Sequence, residues 1–102
     1  MSELIEQRNL LRKARHPEQT KASLVNRLRR IEGQIRGITR MVESDVYCDD
    51  ILNQITSVEA ALSGVRKGLL EAHIRSCVVD QIEDGRYQVI DELMRTIGRM
   101  TR

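Results

Sequence analysis

CDDILNQITSVEAALSGVRKGLLEAHIRSC, residues 48–77, decides how the rest of the chain is read. Its apolar residues Ile51, Ile55, Val58, Leu62, Val65 and Leu69, prolonged by His73, are separated by steps of 4, 3, 4, 3, 4 and 4. Steps of three and four keep side chains on one face of an α-helix, whereas a strand would alternate every second residue. The stretch opens on Cys48 and closes on His73 and Cys77, which are one of the two histidines and both of the cysteines in the chain. His73 and Cys77 are four apart, hence one turn apart on one helical face. The ordinary reading of one H-x-x-x-C pair is a buried cysteine beside a surface histidine, because free cysteine packs as a small hydrophobe. Three soft donors at the two ends of one helix support a different reading, as metal ligands.

Outward from this stretch the chain stays helical. The second helix is predicted from about Val46 to Glu83, with Asp84-Gly85 ending it. A third helix, about Arg86 to Met100, carries Val89, Ile90, Leu93, Ile97 and Met100. Upstream, Ser44-Asp45 breaks the pattern and supplies caps. Before it, a helix from Thr20 as cap to about Glu43 carries Leu24, Leu28, Ile31, Ile35, Ile38 and Val42 at steps of 4, 3, 4, 3 and 4. Gly33 and Gly37 inside that helix each cost ~1 kcal/mol against alanine. They predict close approach of another helix or of a ligand backbone. Residues 1–19 read as a tail, with His16-Pro17-Glu18 as the break, and residues 20–102 as one all-α domain.

Composition narrows the class. The chain has 102 residues, no Trp, no Phe and two Tyr, so the core must come from Leu, Ile, Val, Met and Ala. A short chain of that kind buries a modest share of its surface alone, and a helical assembly of several subunits answers the shortage. No apolar run approaches the ~20 residues that span a bilayer, and Met1–Arg8 has no signal-peptide core. The chain is therefore expected in the cytoplasm, with its cysteines as thiols. The net charge of +2 is unevenly spread: residues 20–44 hold six Lys/Arg and two acids, and residues 45–85 hold three and eight. A basic helix beside an acidic one predicts a localised face for a polyanion.

Arg27, Arg29, Arg30, Arg36 and Arg40 lie off the apolar seam of the first helix, with Glu32 the only acid among them. A charge run is usually a solvated face. This one also meets the basic-stripe criterion for phosphate contact. No aromatic is interleaved for stacking bases, which disfavours single strands. No helix-turn-helix precedes it.

Helix geometry constrains the metal reading. Cys48 and His73 are 25 residues apart, or ~38 Å along one continuous helix at the usual rise. Metal–sulfur bonds are only ~2.3 Å long, taking zinc as yardstick, so one chain cannot close the site. Two antiparallel copies would bring the Cys48 end of one helix to the His73/Cys77 end of the other, giving two identical sites by two-fold symmetry. Two thiolates and one imidazole suit Cu(I) best and Zn(II) next. A closed structural zinc site normally takes four ligands. A catalytic zinc would need a neighbouring acid or base motif that is absent, and no enzyme is expected. A redox dithiol formed by Cys48 and Cys77 across subunits is the rival.

The chain resembles the CsoR/RcnR family of bacterial metal- and stress-sensing repressors. The resemblance runs from about Lys21 to Arg102. It is carried by Asn26-Arg27-Leu28-Arg29-Arg30-Ile31-Glu32-Gly33-Gln34-Ile35-Arg36-Gly37-Ile38, by Glu43-Ser44-Asp45-Val46-Tyr47-Cys48-Asp49-Asp50-Ile51-Leu52, and by His73 with Cys77. It implies a three-helix protomer, an antiparallel four-helix-bundle dimer and a tetramer. The implied function is binding of double-stranded operator DNA in the metal-free form, with release on binding the inducer. The copper-sensing branch carries Cys, His and Cys where this chain has Cys48, His73 and Cys77. The resemblance therefore implies a Cu(I)-responsive repressor of copper-resistance and efflux genes. Tyr47 and Glu92 match positions that support the ligand histidine. His16 matches an extra ligand position of a nickel-sensing branch, so Ni(II) stays open, with Zn(II) as a further candidate. A thiol-based redox or persulfide regulator and a cytosolic copper buffer are the competing functions. DNA contacts are expected from Arg27, Arg30 and Arg36 first, then Arg29 and Arg40. The arginine that some members place near Gly64 is absent, and Arg66 and Lys67 are the nearest substitutes.

Overall fold

The structure, a computed structural model, describes residues 16–101. Most of the predicted tail lies outside the described residues. All regular structure within them is helical: α1 (Glu18–Glu43), α2 (Cys48–His73), a π-helical turn (Ile74–Val78), α3 (Val79–Glu83) and α4 (Gln88–Met100). The predicted second helix, 46–83, is thus α2, the π turn and α3 in succession without a loop. Packing divides the chain into two compact units, Pro17–Glu71 and Ala72–Arg102, with His16 grouped with the second.

The first unit is a helical hairpin. Thr20 is not its cap. α1 starts two residues earlier, with Pro17 in the cap position and no side-chain cap bond. Proline has its φ fixed at a value that leads into a first turn, and the Lys21 N–H donates to the Pro17 carbonyl at 3.0 Å. At its other end α1 closes with the Val46 N–H donating to Met41 O at 3.0 Å and the Asp45 N–H to Val42 O at 3.2 Å. These are the two bonds of a Schellman motif. That motif needs a left-handed residue, and Asp45 supplies it at φ 56. Asp is one of the few side chains that tolerates this region.

The core between α1 and α2 is Ile31, Val58 and Val65, 4–7% exposed, with Leu24, Ile38 and Ala61 packed against them. On α1 the inward positions Leu24, Ile31 and Ile38 are seven apart. On α2 Val58 and Val65 repeat at the same interval. The alternate members of each seam behave differently. Leu28, Ile35 and Val42 on α1 and Ile55, Leu62 and Leu69 on α2 remain 37–57% exposed. In this hairpin the two helices close one position of each heptad and leave the other uncovered. The predicted seams therefore divide into a closed stripe and an open one.

The second unit holds the π turn, α3 and α4. Its buried side chains are Val78 and Val89, each 3% exposed. α3 ends in the same motif as α1, with Arg86 N–H donating to Gln81 O at 2.8 Å and Gly85 N–H to Ile82 O at 3.0 Å. Here Gly85 takes the left-handed position at φ 79, as the predicted stop requires. Among the described residues no helix is long and apolar enough to cross a membrane.

Candidate metal centre and nucleic-acid face

Cys48 is the first residue of α2 and is exposed, as is Tyr47 before it. His73 is the last residue of α2 and is half-buried. Cys77 follows inside the π turn, also half-buried. Both cysteines are free. Where α-helical carbonyls accept from the fourth residue on, the Ile74 carbonyl accepts from Val79, the fifth. Such turns insert one residue into a helix and recur at functional sites. Nothing in the residues 74–78 announces this one.

His73 shares a cleft of about 390 Å³ with Glu92, Leu93, Arg95, Thr96 and Arg99 of α4. The structure thus brings together His73 and Glu92, two of the residues singled out by sequence. A carboxylate beside a ligand imidazole accepts its second N–H and fixes the tautomer. Arg95, Thr96 and Arg99 complete the cleft and were not foreseen, since nothing in a helical arginine spacing reveals what it faces. Cys48 stands at the opposite end of α2 from His73. Among the described residues no three His, Cys, Asp or Glu side chains of the chain converge. His16 is half-buried, with Nδ1 buried and without a hydrogen-bond partner among the described residues.

The arginines of α1 do not form one face. At about 100° per residue, Arg29, Arg36 and Arg40 lie roughly opposite the buried Ile31, while Arg27 and Arg30 lie on its flank. Arg29, Arg30, Arg36 and Arg40 are exposed, and so are Arg66 and Lys67 on α2. Arg36 pairs with Glu32 at 3.0 Å and Arg66 donates to Ser63 Oγ at 3.3 Å. Both are surface contacts of small worth that a phosphate can displace. Arg27 differs: it is half-buried and its guanidinium lies against Gly64 and Gly68 of α2. The guanidinium near Gly64 therefore comes from α1 and not from Arg66 or Lys67. Among the described residues of this chain, the close approach of another helix is not at Gly33, which meets only Arg36 of its own helix, nor at Gly37, which has no neighbour within 4 Å. It occurs at Gly64 and Gly68, whose identical spacing carried the same signal.

A family model described as metal-sensitive transcriptional repressor matches residues 20–99. The copper-sensing transcriptional repressor CsoR of Bacillus subtilis (strain 168) is 49% identical over 83 residues, covering 80% of this chain and 82% of that protein. Among solved structures, the copper-sensing repressor CsoR with Cu(I) from Geobacillus thermodenitrificans NG80-2 matches with a TM-score of 0.82 at 40% identity. It covers 86% of this chain and 93% of that one. The nickel-responsive transcriptional regulator InrS matches with a TM-score of 0.66 at 37% identity, over 76% of this chain and 89% of that one.

Proposed function

The chain belongs to the metal-sensitive transcriptional repressor family, and we propose that it is a Cu(I)-responsive repressor whose sites are shared between two copies. The observation that carries this reading is the open half of the heptad seams. Leu28, Ile35 and Val42 with Ile55, Leu62 and Leu69 form an apolar stripe along the whole hairpin. A second hairpin laid on it antiparallel by two-fold symmetry makes a four-helix bundle. The same operation carries the Cys48 end of one α2 to the His73 end of the other.

Cys48 of one copy with His73 and Cys77 of the other would hold the ion. Two thiolates and an imidazole fit Cu(I) better than any hard cation. Half-burial of His73 and Cys77 leaves them reachable while limiting water around them. Bound by these residues, Cu(I) would supply soft thiolate and imidazole ligation that favours the conformation with low DNA affinity. Glu92, which lines the same cleft as His73, would accept the second N–H of its imidazole, with Tyr47 next to Cys48 at the opposite end of α2. Operator DNA meets the basic residues of α1 and α2 in the metal-free form, and pairing of dimers into a tetramer enlarges that face. Coupling of ~1–3 kcal/mol between metal and DNA is the usual size of such linkage. The protein acts in the cytoplasm on genes for copper resistance and efflux, as a regulator rather than an enzyme. A copper buffer would have no use for the basic α1 and would not retain duplex DNA at moderate salt.

Shared sites are tested by complementation. Cys48→Ala and Cys77→Ala are made separately, and neither homodimer should bind Cu(I) tightly. Refolded together, mixed dimers should recover about one tight site per dimer, since one site regains all three ligands under two-fold symmetry. No recovery in mixed dimers shown to have formed would reject sharing.

One observation favours a second metal. His16 belongs to the same compact unit as His73 and Cys77, and its buried Nδ1 lacks a partner among the described residues. A fourth ligand, and a second nitrogen, would suit Ni(II). His16→Ala should leave the Cu(I) response intact; loss of release together with a stronger response to Ni(II) selects the nickel reading.

A further inference from the structure

Arg27 is the one arginine of α1 that is not exposed. A Cβ on Gly64 would lie 2.7 Å from its Nη2, closer than such atoms approach. A Cβ on Gly68 would lie 3.4 Å from its Nη1 and 3.6 Å from Leu24 Cδ2. No carboxylate pairs with Arg27 among the described residues, where Arg36 has Glu32 and Lys21 has Glu18. A guanidinium thus occupies the space beside two glycines of a neighbouring helix, with no carboxylate paired to it among the described residues. Glycines four apart weaken a helix interior, and here they leave the space that the guanidinium occupies.

The place of this contact is defined by helical position. On α1, Arg27 lies about 40° to one side of the buried Ile31, and Leu28, Ile35 and Val42 lie about 20–60° to the other. On α2, Gly64 and Gly68 fall on one side of buried Val65 and Ile55, Leu62 and Leu69 on the other. In an antiparallel hairpin like sides coincide, so the cradle and the open apolar stripe occupy opposite flanks. The cradle stays on the surface when a second copy covers the stripe.

We infer that Gly64 and Gly68 are positioning residues for Arg27, holding its guanidinium at the α1–α2 seam for a DNA phosphate. The inference rests on the repressor reading. A guanidinium seated in the space beside Gly64 and Gly68 has less side-chain freedom to lose when phosphate arrives than one on a fully solvated stem. Its remaining N–H groups form a planar fork suited to phosphate oxygens. Gly64 itself touches no DNA.

The test is a double-mutant cycle on Gly64→Ala and Arg27→Ala, with operator affinity measured against salt. The probe is a duplex selected from random-sequence DNA by the wild-type protein. Alanine is the better helix former, so Gly64→Ala endangers no helix; circular dichroism checks this. In the Arg27 background Gly64→Ala should weaken binding about tenfold and lower the salt slope by ~0.9, the signature of one lost phosphate contact. In the Arg27→Ala background it should change affinity less than about twofold, because coupled residues lose their effect when the partner is gone. Gly68→Ala, with its looser contact, should give a smaller loss. Wild-type affinity for Gly64→Ala, or an equal loss in both backgrounds, overturns the cradle. Failure of the wild-type protein to select any duplex overturns the repressor reading and the cradle with it.

Discussion

The hairpin Pro17–Glu71 and the unit Ala72–Arg102 are both helical, but they are built to different rules. The hairpin is regular. Its buried residues repeat every seven, its open residues repeat every seven, and its tightest glycine contact is a side chain in a gap. The second unit departs from regularity where its donors lie: Cys77 sits in a π turn and His73 faces a polar cleft with two guanidiniums and a carboxylate. On the proposed reading, periodic packing serves association, which has to work along a whole surface. Ligand chemistry needs particular atoms at one place, and the period is broken in the turn that holds Cys77.

The hairpin side carries the largest expected effect. Leu62→Asp places a carboxylate in the middle of the open stripe. Burying a leucine contributes ~1.5–3 kcal/mol, and an unpaired buried charge costs more again. Association should fall by at least about a hundredfold on that arithmetic. The isolated hairpin should keep its helicity, because Leu62 is 43% exposed within one chain. Sedimentation velocity decides the matter, and undiminished assembly would mean that the stripe is not the interface.

In the second unit, Glu92→Gln should act on the metal alone. It keeps shape and removes the negative charge beside His73. Loss of a partner that orients a metal-ligating histidine typically costs about 10–100-fold in metal affinity. Competition with a Cu(I) chelator should show that loss, with metal-free DNA binding and assembly unchanged. A matching loss of DNA affinity would show that the two regions are not separable.

The smallest effect is expected at Gly37. No described residue comes within 4 Å of a Cβ built there, so Gly37→Ala should stabilise α1 by up to ~1 kcal/mol and raise the thermal midpoint by a few degrees. DNA affinity should not change. Set against Gly64→Ala, this separates a glycine kept for space from one that is not. A destabilised Gly37→Ala would reveal a covering surface in the assembled protein.

Much of the fold was legible because it is periodic. The 4–3 steps located α1, the helical run 48–83 as a whole and α4 to within about two residues, and Gly85 marked the end of α3. Periodicity could not say which half of a seam one chain closes, because both halves have the same composition. It could not single out the glycines that are tight within one chain, for a related reason. Gly33 and Gly37 share the spacing of Gly64 and Gly68, and only the path of Arg27 tells the pairs apart. The candidate site was legible as chemistry only: Cys48, His73 and Cys77 stand out as the chain's soft donors, and of the residues named with them Glu92 shares a cleft with His73. What surrounds His73 depends on how α4 approaches, and Arg95, Thr96 and Arg99 carry no local mark of it. The π turn has no residue signature at all, since Ile74–Val78 would continue an α-helix as readily.

That turn bears on how the chain can vary in length. A π turn is a helix holding one residue more than its hydrogen-bond ladder needs. Deleting a residue from an α-helix swings everything beyond it by about 100° and misaligns each later contact. Within Ile74–Val78 the same deletion can be absorbed by closing the wide turn to an α turn, and the elements that follow keep their facing. Residues 74–78 are therefore the place along the helical run 48–83 where a homologous gene could lose a codon and still encode the same packing, at the cost of moving the one thiol that the turn contains.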